Sequence, residues 1–343
     1  MFGPFELHTP FPGARFGGTL RLTAGGDAAA QVAAAESAPE TLTQALAVSG
    51  GLLLLRGLHA IADDPSLLVR LSRLLGKEVE DYRHTLTTPN MVHTTVPEIF
   101  IVSNVPPVNR MPPRRPDPPL AADGKLPTQY PHRSGWHTDQ SYRRPPPDVS
   151  LFFAVAPVTR DQGQTIFASG TLAYAALPED VKRRVDGLVG IHAQPRSGRM
   201  RSEVLAGVTP KPVAPHQRPQ RQPLVRVHPD TGLPALYLCE DGQMDWIDGP
   251  FEGMQPGPHG DGAKLLDALM THMTRPEFIY VHEWDQGDLV VWDNRCLVHT
   301  ATWFDAEKQG RVMWRTTVHG NPGAAYAGEP KSWIPELTDA AAE

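Results

Sequence analysis

Helical and extended hydrophobic patterns alternate over the early part of the chain. Residues 41–48 have apolar positions at helical spacing and are followed by a serine and two glycines, which predicts a short helix. Residues 52–55 are four consecutive leucines between glycines, a pattern typical of a buried strand. A leucine stripe over residues 67–75 predicts a second helix, with Asp63 or Asp64 as its N-cap.

Extended patterns dominate from residue 99 onward. Seven apolar runs predict strands: 99–102, 150–155, 224–227, 236–238, 278–284, 289–292 and 312–318. One helix, over residues 262–273, interrupts this series, and Asp261 is placed to cap it. The pattern predicts a mainly β fold with flanking helices.

Two proline-rich stretches, at about 106–131 and 207–223, have no periodicity and predict long loops. Loops of this length often act as lids over a site. The chain shows no internal repeat and no linker between two separate cores. We therefore predict one domain over residues 1–343 that contains both loops.

Composition and charge exclude several classes of partner and site. The chain has 32 basic and 38 acidic residues, a net charge of −6 that suggests no nucleic acid and no membrane as a partner. Its two cysteines, Cys239 and Cys296, form no CxxC pair, so we expect neither a disulfide framework nor a thiolate zinc site. The N-terminus lacks the basic and apolar regions of a signal peptide, and we expect a cytoplasmic protein.

Three His-x-Asp tripeptides could offer two ligands to a metal, because side chains two apart on a strand share a face. They begin at His137, His228 and His259. Asp230 of the second lies in a Pro-Asp-Thr-Gly turn and should face solvent, and Asp261 of the third is the expected helix cap. The context therefore favours His137 and Asp139.

His299 is the candidate for a third ligand. It follows the apolar run at 289–292 and lies between Val298 and Thr300, at the rim of the predicted β core. Two histidines and one carboxylate make the facial triad of non-haem iron(II), which leaves coordination positions open for other ligands. A half-buried histidine without a metal is the alternative.

Two arginines follow His299 at 12 and 16 residues, Arg311 and Arg315. Their spacing of four places both on one face of a strand. A guanidinium that faces the interior of a β fold is costly unless an anion pairs with it, and a dicarboxylate co-substrate would provide that anion. An internal Arg–Asp salt bridge is the alternative.

Several motifs together resemble the taurine dioxygenase / phenoxyacetate dioxygenase superfamily of iron(II)- and 2-oxoglutarate-dependent enzymes. The similarity spans about residues 40 to 325. It departs from the usual pattern in the length of the 106–131 stretch and in Gly-Gln-Thr at 163–165, where Gly-Gly-Asp/Glu-Thr is more usual. The matching motifs are Trp-His-Thr-Asp at 136–139, Gly-Gln-Thr at 163–165 with Phe167, Leu-Val-Arg-Val-His-Pro at 224–229, Gly-Asp-Leu-Val-Val-Trp-Asp-Asn-Arg at 287–295, His299, and Arg311 with Arg315.

The resemblance implies a double-stranded β-helix, or jelly roll, with iron(II) bound by His137, Asp139 and His299. It implies that Arg311, helped by Thr165, binds the distal carboxylate of 2-oxoglutarate, and that Arg315 lies near the proximal carboxylate or the primary substrate. The implied reaction uses O₂, hydroxylates an aliphatic C–H bond and releases succinate and CO₂. Family analogy also suggests a homo-oligomer, either a dimer or a tetramer.

The substrate is expected to be a small anionic molecule. Asn104, Tyr142 and Trp246 each follow a predicted strand or ligand segment and could line its pocket, although packing in the core or at the rim is the alternative. An anionic substrate is suggested by a group of arginines, although a solvated basic face would explain them nearly as well. They are Arg133, Arg143, Arg144, Arg196, Arg199 and Arg201.

Two other classes of protein could use the same three ligands. A zinc-dependent hydrolase would hold water in its fourth position and would not respond to 2-oxoglutarate. A non-catalytic jelly-roll binding protein would tolerate replacement of Asp139 and would form no succinate.

Overall fold

The structure, a computed structural model, describes residues 2–85 and 87–334. The outermost parts of the predicted domain, residue 1 and residues 335–343, therefore lie outside the described residues. In the described part of the chain, no helix combines the length and the apolar character needed to cross a membrane.

Seven α-helices and fifteen β-strands occur in this described part. The helices are α1 (Ala28–Ser37), α2 (Thr41–Val48), α3 (Ser66–Arg73), α4 (Gly170–Ala175), α5 (Glu179–Val185), α6 (Arg201–Leu205) and α7 (Asp261–Met273). The strands are β1 (Phe5–His8), β2 (Gly18–Leu22), β3 (Leu52–Leu55), β4 (Glu78–Val79), β5 (Phe100–Ser103), β6 (Val149–Ala156), β7 (Thr165–Ser169), β8 (Val189–His192), β9 (Gln220–Pro223), β10 (Val225–Val227), β11 (Pro234–Leu236), β12 (Ile279–His282), β13 (Leu289–Asp293), β14 (Leu297–Ala301) and β15 (Val312–His319).

Most strands belong to two sheets. The larger sheet has eight strands in the order β1-β2-β3-β13-β6-β15-β4, and β5 pairs with β15 beside this path. The smaller sheet has the order β12-β7-β14, and two further pairs are β10-β11 and β8-β9. Within the large sheet β2 and β3 run parallel, whereas β3, β13, β6 and β15 pair antiparallel.

Alternation along the strands divides the core into layers. On β13, Leu289 and Val291 belong to a cluster formed with the leucines of α2 and α3. Val290 and Trp292 point the other way, into a cluster that includes Phe167 of the small sheet. The Phe167 and Trp292 rings lie 5.6 Å apart between their centroids, so the two sheets pack face to face.

A third cluster covers the outer side of the small sheet. It joins Ile166, Ala168 and Val298 to apolar residues of α7, including Leu266 and Met270. The observed architecture is thus β-rich with flanking helices, as the hydrophobic pattern predicted.

The predicted helix at 41–48 and the predicted strand at 52–55 are confirmed residue by residue. Three other predictions need correction. Asp261 does not cap α7, because the helix begins at Asp261 itself after Gly260, and its carboxylate accepts a bond from Lys264 instead. Residues 106–131 contain no α-helix or strand, but the second loop, 207–223, ends in β9, which pairs with β8. The N-cap of α3 is Pro65 and not Asp63 or Asp64. Asp230 is exposed, as predicted, and it pairs with Arg295 at 3.1 Å.

Candidate metal centre

The three predicted metal ligands come together at the edge of the small sheet. His299 lies in the middle of β14, and its backbone exchanges two hydrogen bonds with His137, at 2.7 and 3.0 Å. Asp139 follows two residues later, and its Oδ1 lies 3.9 Å from Nε2 of His137 and 4.0 Å from Nε2 of His299. The expectation that residues 137–139 form a strand is wrong, because only an isolated bridge joins His137 to His299.

One ion can bridge Oδ1 of Asp139 to either imidazole, because the separations of 3.9 and 4.0 Å are within the roughly 4.4 Å that two metal–ligand bonds of about 2.2 Å span. The nitrogen and oxygen donors of the three residues all lie within 4.8 Å of one another. Two imidazoles and one carboxylate are a donor set that suits iron(II).

Both imidazoles are in the neutral form that a metal requires. Nδ1 of His137 donates a hydrogen bond to the carbonyl oxygen of Gly135 at 2.8 Å, which leaves the lone pair of Nε2 directed at the site. Burial lowers the pKa of His137. Burial, with the neighbouring His137, lowers the pKa of His299 to about 3.

Asp139 is an ionised carboxylate held from both sides. Its Oδ1 accepts a bond from Nη1 of Arg315 at 2.8 Å, and its Oδ2 accepts one from the Ser150 hydroxyl at 2.7 Å. Burial by itself would raise the pKa of Asp139, but the charge of Arg315 and the nearby imidazoles lower it to about 2. Arg315 therefore forms an internal salt bridge with Asp139, which was the alternative to an anionic co-substrate in the sequence analysis.

Asn294 fixes the orientation of the Asp139 segment. Its side-chain oxygen accepts hydrogen bonds from the backbone N–H of Asp139 at 3.2 Å and from the Trp292 indole at 2.9 Å. Its amide nitrogen donates to Ser150 at 2.9 Å, and Ser150 in turn holds Asp139. Through Asn294, the Trp-Asp-Asn-Arg motif thus holds the backbone and, by way of Ser150, the carboxylate of Asp139 in place.

Arg311 is a buried guanidinium without a carboxylate partner among the residues that the structure describes. It is 7% exposed, and its one side-chain hydrogen bond runs from Nη2 to the carbonyl oxygen of Gly163 at 3.3 Å, while Nε has no partner. The rings of Phe152 and Phe304 lie within 6.0 Å of it. Burial and the charge of Arg110 lower the pKa of Arg311 to about 10. Such a group fits an incoming carboxylate.

Thr165 opens β7 and is almost fully buried. Its hydroxyl accepts a hydrogen bond from the Trp284 indole at 3.1 Å. Because the indole N–H can only donate, this contact leaves the hydroxyl proton of Thr165 available to a second acceptor. Both groups predicted to bind the distal end of 2-oxoglutarate therefore have unused donors.

A cavity of about 360 Å³ opens beside the metal ligands. His137, Asp139 and Arg315 line it, and so does Tyr142, one of the predicted substrate contacts. Tyr142 lies three residues after Asp139 in the chain, which places it near the metal ligands. Arg110 and Arg143 are the further arginines in the wall.

The other two predicted substrate contacts do not reach this cavity. Asn104 holds the turn before Arg311, since its amide donates to Gln309 at 2.9 Å and accepts from the Arg311 backbone at 2.7 Å. Trp246 is fully buried in the cluster around α7. Neither residue lines this cavity, and a role for either in binding substrate stays a prediction from the sequence.

Most of the arginines that suggested an anion are engaged elsewhere. Arg143 alone among them lines the cavity, and Glu80 pairs with it. Arg133 donates to the carbonyl oxygen of Pro127. Carboxylates of other elements pair with Arg144 (Glu329), Arg199 (Asp245) and Arg201 (Asp267).

A second group of potential ligands, His228, Asp293 and Cys296, is buried at the end of β13. Asp293 already accepts three bonds from Arg295 and one from His228. Burial raises the pKa of the Cys296 thiol well above its usual value. The carboxylate charge is thus balanced by Arg295, and the cluster is a buried polar network that does not attract a cation.

Three functional neighbours were missed by the sequence prediction. Arg110 lies in the long proline-rich stretch, and its residue type gave no signal. Asn294 belongs to the Trp-Asp-Asn-Arg motif at 292–295, but the motif alone does not show that its amide holds Asp139. Glu240 accepts bonds from the backbone N–H groups of Gly135 and Trp136 at 2.5 and 3.2 Å, next to His137.

The comparisons with known proteins agree with this site. The chain is 34% identical over 197 residues to the (S)-phenoxypropionate/alpha-ketoglutarate-dioxygenase of Sphingobium herbicidovorans, a match that covers 56% of this chain and 64% of that protein. It is 33% identical over 185 residues to the alpha-ketoglutarate-dependent 2,4-dichlorophenoxyacetate dioxygenase of Cupriavidus pinatubonensis, which covers 53% of this chain and 59% of the relative. The chain thus spans less than two thirds of the length of these relatives.

A solved structure matches over nearly the whole fold. The crystal structure of AAD-2 in complex with Mn(II) and N-oxalylglycine aligns with a TM-score of 0.64 at 26% identity, over 92% of this chain and 98% of that one. The family described as "Taurine catabolism dioxygenase TauD, TfdA family" matches residues 12–317. That match covers most of the sequence and includes all three ligand positions and both arginines, so the chain belongs to the taurine catabolism dioxygenase TauD, TfdA family.

Proposed function

We propose that this chain is an iron(II)- and 2-oxoglutarate-dependent dioxygenase. It uses O₂ to hydroxylate an aliphatic C–H bond of a small anionic molecule, with release of succinate and CO₂. The observation that carries the proposal is the pairing of a two-histidine, one-carboxylate donor set with Arg311, a buried cation that has no carboxylate partner among the described residues. A dicarboxylate that chelates the metal with one end and meets Arg311 with the other satisfies both features.

The site residues perform distinct tasks in this proposal. His137 and His299 supply neutral nitrogen donors, and Asp139 supplies the charged oxygen. Arg311 binds the distal carboxylate of 2-oxoglutarate, and Thr165 donates a hydrogen bond to it. The bound iron supplies the oxidation chemistry, as metal cofactors do in enzymes of this kind.

Arg315 is a positioning residue as well as a charge. Its bond to Oδ1 of Asp139, together with the Ser150 bond to Oδ2, fixes the plane of the carboxylate. Its guanidinium also lines the cavity, where it lies 4.9 Å from the Phe100 ring centroid. We place the proximal carboxylate or the primary substrate next to it, and we assign Tyr142 to the substrate wall.

The names of the two relatives support an organic acid as the substrate, because phenoxypropionate and 2,4-dichlorophenoxyacetate both carry a carboxylate. Two sheets that pack face to face support the double-stranded β-helix as the finer description of the fold. A homo-oligomer and a cytoplasmic location remain predictions from the sequence.

Succinate formation tests the proposed reaction. Purified protein is incubated with 2-oxoglutarate, ascorbate and iron(II) in air, with a panel of aryloxyalkanoates, alkyl sulfonates and alkyl sulfates, and succinate is quantified. We expect iron-dependent succinate that at least one panel compound stimulates. Asp139→Ala should abolish it, whereas Asp261→Ala, the matched aspartate of another His-x-Asp tripeptide, should keep it.

Three results would overturn the proposal. Succinate at the same level in Asp139→Ala would exclude this triad as the catalytic centre. Hydrolysis of a panel ester with zinc, without any response to 2-oxoglutarate, would bring forward the zinc hydrolase. Binding of panel compounds without turnover under any metal would favour the non-catalytic binding protein.

A further inference from the structure

Arg110 stands out among the charged groups of the cavity. Its backbone N–H donates to the carbonyl oxygen of Ser103, the last residue of β5, at 2.7 Å, which holds this part of the proline-rich loop against the sheet. The preceding residue, Asn109, adopts a positive φ of 52°, so the chain turns sharply at this point. The Arg110 side chain lines the cavity while part of the residue stays exposed to solvent, and it forms no ion pair with a carboxylate of the described chain.

The other arginines of the same wall are already neutralised. Nη1 of Arg315 bonds to Asp139 at 2.8 Å. Arg143 pairs with Glu80 in a short, buried contact. Arg110 is therefore the one arginine lining the cavity, in the described part of the chain, that forms no ion pair.

The electrostatic surroundings of Arg110 are unfavourable as they stand. Desolvation by the surrounding protein atoms and the positive charges of Arg315 and Arg196 lower the pKa of Arg110, and the negative charge of Asp139 only partly opposes them. Bound 2-oxoglutarate does not remove the imbalance, because its two charges offset those of iron(II). Asp139 offsets one arginine, and Arg311 and Arg110 remain in formal excess.

We propose that Arg110 binds the anionic head group of the primary substrate, a carboxylate, sulfonate or sulfate on a small organic acid. This inference rests on the proposed function and names the residue that selects its substrate class. A guanidinium can hold such a group with two parallel hydrogen bonds. Apolar rings in the same wall, Phe100 and Trp333, are placed to contact the body of the molecule.

The test measures binding rather than turnover. Protein loaded with iron(II) and 2-oxoglutarate under anaerobic conditions is titrated calorimetrically with phenoxyacetate, 2-phenoxypropionate, hexanesulfonate and hexyl sulfate. Phenoxyethanol is the neutral analogue. Arg110→Ala is compared with wild type and with Arg114→Ala, an exposed arginine of the same loop that does not line the cavity.

At least one anion should bind wild type and Arg114→Ala equally, and bind Arg110→Ala about 10- to 100-fold more weakly, the range expected for loss of a charge-assisted hydrogen-bonded partner. Arg110→Lys should recover part of the affinity, and phenoxyethanol should not distinguish the variants. Equal anion affinity in Arg110→Ala, or no binding of any of the four anions to loaded wild type, would overturn the inference.

The calorimetric titration of 2-oxoglutarate into the metal-loaded protein separates this outcome from failure of the proposed function. If 2-oxoglutarate binds normally to Arg110→Ala and wild type, a negative result with the anions concerns Arg110 alone. If 2-oxoglutarate binds neither protein, the proposed function itself fails.

Discussion

Replacing Arg315 by methionine removes the cation that balances Asp139 while keeping a side chain of similar length. The carboxylate is 2% exposed and would retain only the Ser150 bond. Arg315 and the imidazoles hold the pKa of Asp139 at about 2, below its usual 3.8, in spite of burial. That shift corresponds to about 2.5 kcal/mol at roughly 1.4 kcal/mol per pKa unit. Loss of one partner from a buried pair typically costs about 3–5 kcal/mol.

We therefore expect Arg315→Met to lower the free energy of unfolding of the metal-free protein by about 2–4 kcal/mol at pH 7. The loss should be smaller with saturating Mn(II), because the metal supplies the missing positive charge to Asp139. The difference in the free energy of unfolding between wild type and Arg315→Met should also become smaller at low pH. A carboxylate with a depressed folded-state pKa stabilises the protein above its unfolded pKa near 4, and this contribution is lost as the pH falls towards 2.

Urea denaturation followed by tryptophan fluorescence, with chelator or with Mn(II), measures both effects. Arg160→Met is the matched control, because it breaks an ion pair with Asp285 in which the arginine side chain is 58% exposed. That exposed pair should contribute no more than about 1 kcal/mol. A loss in Arg315→Met no larger than in this control, or a loss unchanged by Mn(II), would refute the reasoning.

Three further variants test other parts of the site. Burial raises the pKa of Glu240 to about 7. The protonated carboxyl therefore stabilises the fold fully below the unfolded pKa near 4.5, and this contribution is lost as the pH rises through 7. The free energy of unfolding of Glu240→Gln, measured by urea denaturation at pH 5 and at pH 8.5, should rise relative to wild type by on the order of 1–2 kcal/mol between the two pH values, and a difference from wild type that is the same at both would contradict this. Arg311→Met should weaken 2-oxoglutarate binding at least about 10-fold by calorimetry. It should also raise the thermal midpoint of the protein without co-substrate, because it removes a buried charge that has no carboxylate partner among the described residues, and a lowered midpoint would argue for a structural role. Asp293→Asn should cost about 3–5 kcal/mol in urea denaturation, because it removes the buried counter-charge of Arg295 and leaves only the exposed Asp230 paired with it. A cost under 1 kcal/mol would show that the network is dispensable.

Local sequence determined much of what could be predicted. The four leucines of β3 and the apolar face of α2 need only their own periodicity to be recognised. The metal ligands could be chosen because His137 and Asp139 are separated by one residue and because the other two His-x-Asp tripeptides sit at a turn and at the start of a helix.

The unpredicted features depend on contacts between distant parts of the chain. Arg315 meets Asp139 across 176 positions. The spacing of the two arginines therefore could not reveal that, among the described residues, Arg315 has a carboxylate partner and Arg311 has none. Asn104 and Trp246 follow strands, but the direction of the chain beyond a strand end is set by tertiary packing. β9 has no strand pattern of its own, and its pairing with β8 overrides that weak local preference.

Anaerobic titration of the metal-free protein with iron(II) and 2-oxoglutarate tests the central claim most directly. We predict a weak visible metal-to-ligand charge-transfer band in wild type and in Asp261→Ala, and its loss in His137→Ala and Asp139→Ala. A folded, metal-loaded wild-type protein that shows no band, or a band that survives Asp139→Ala, would contradict the assignment of His137, Asp139 and His299 as the iron site.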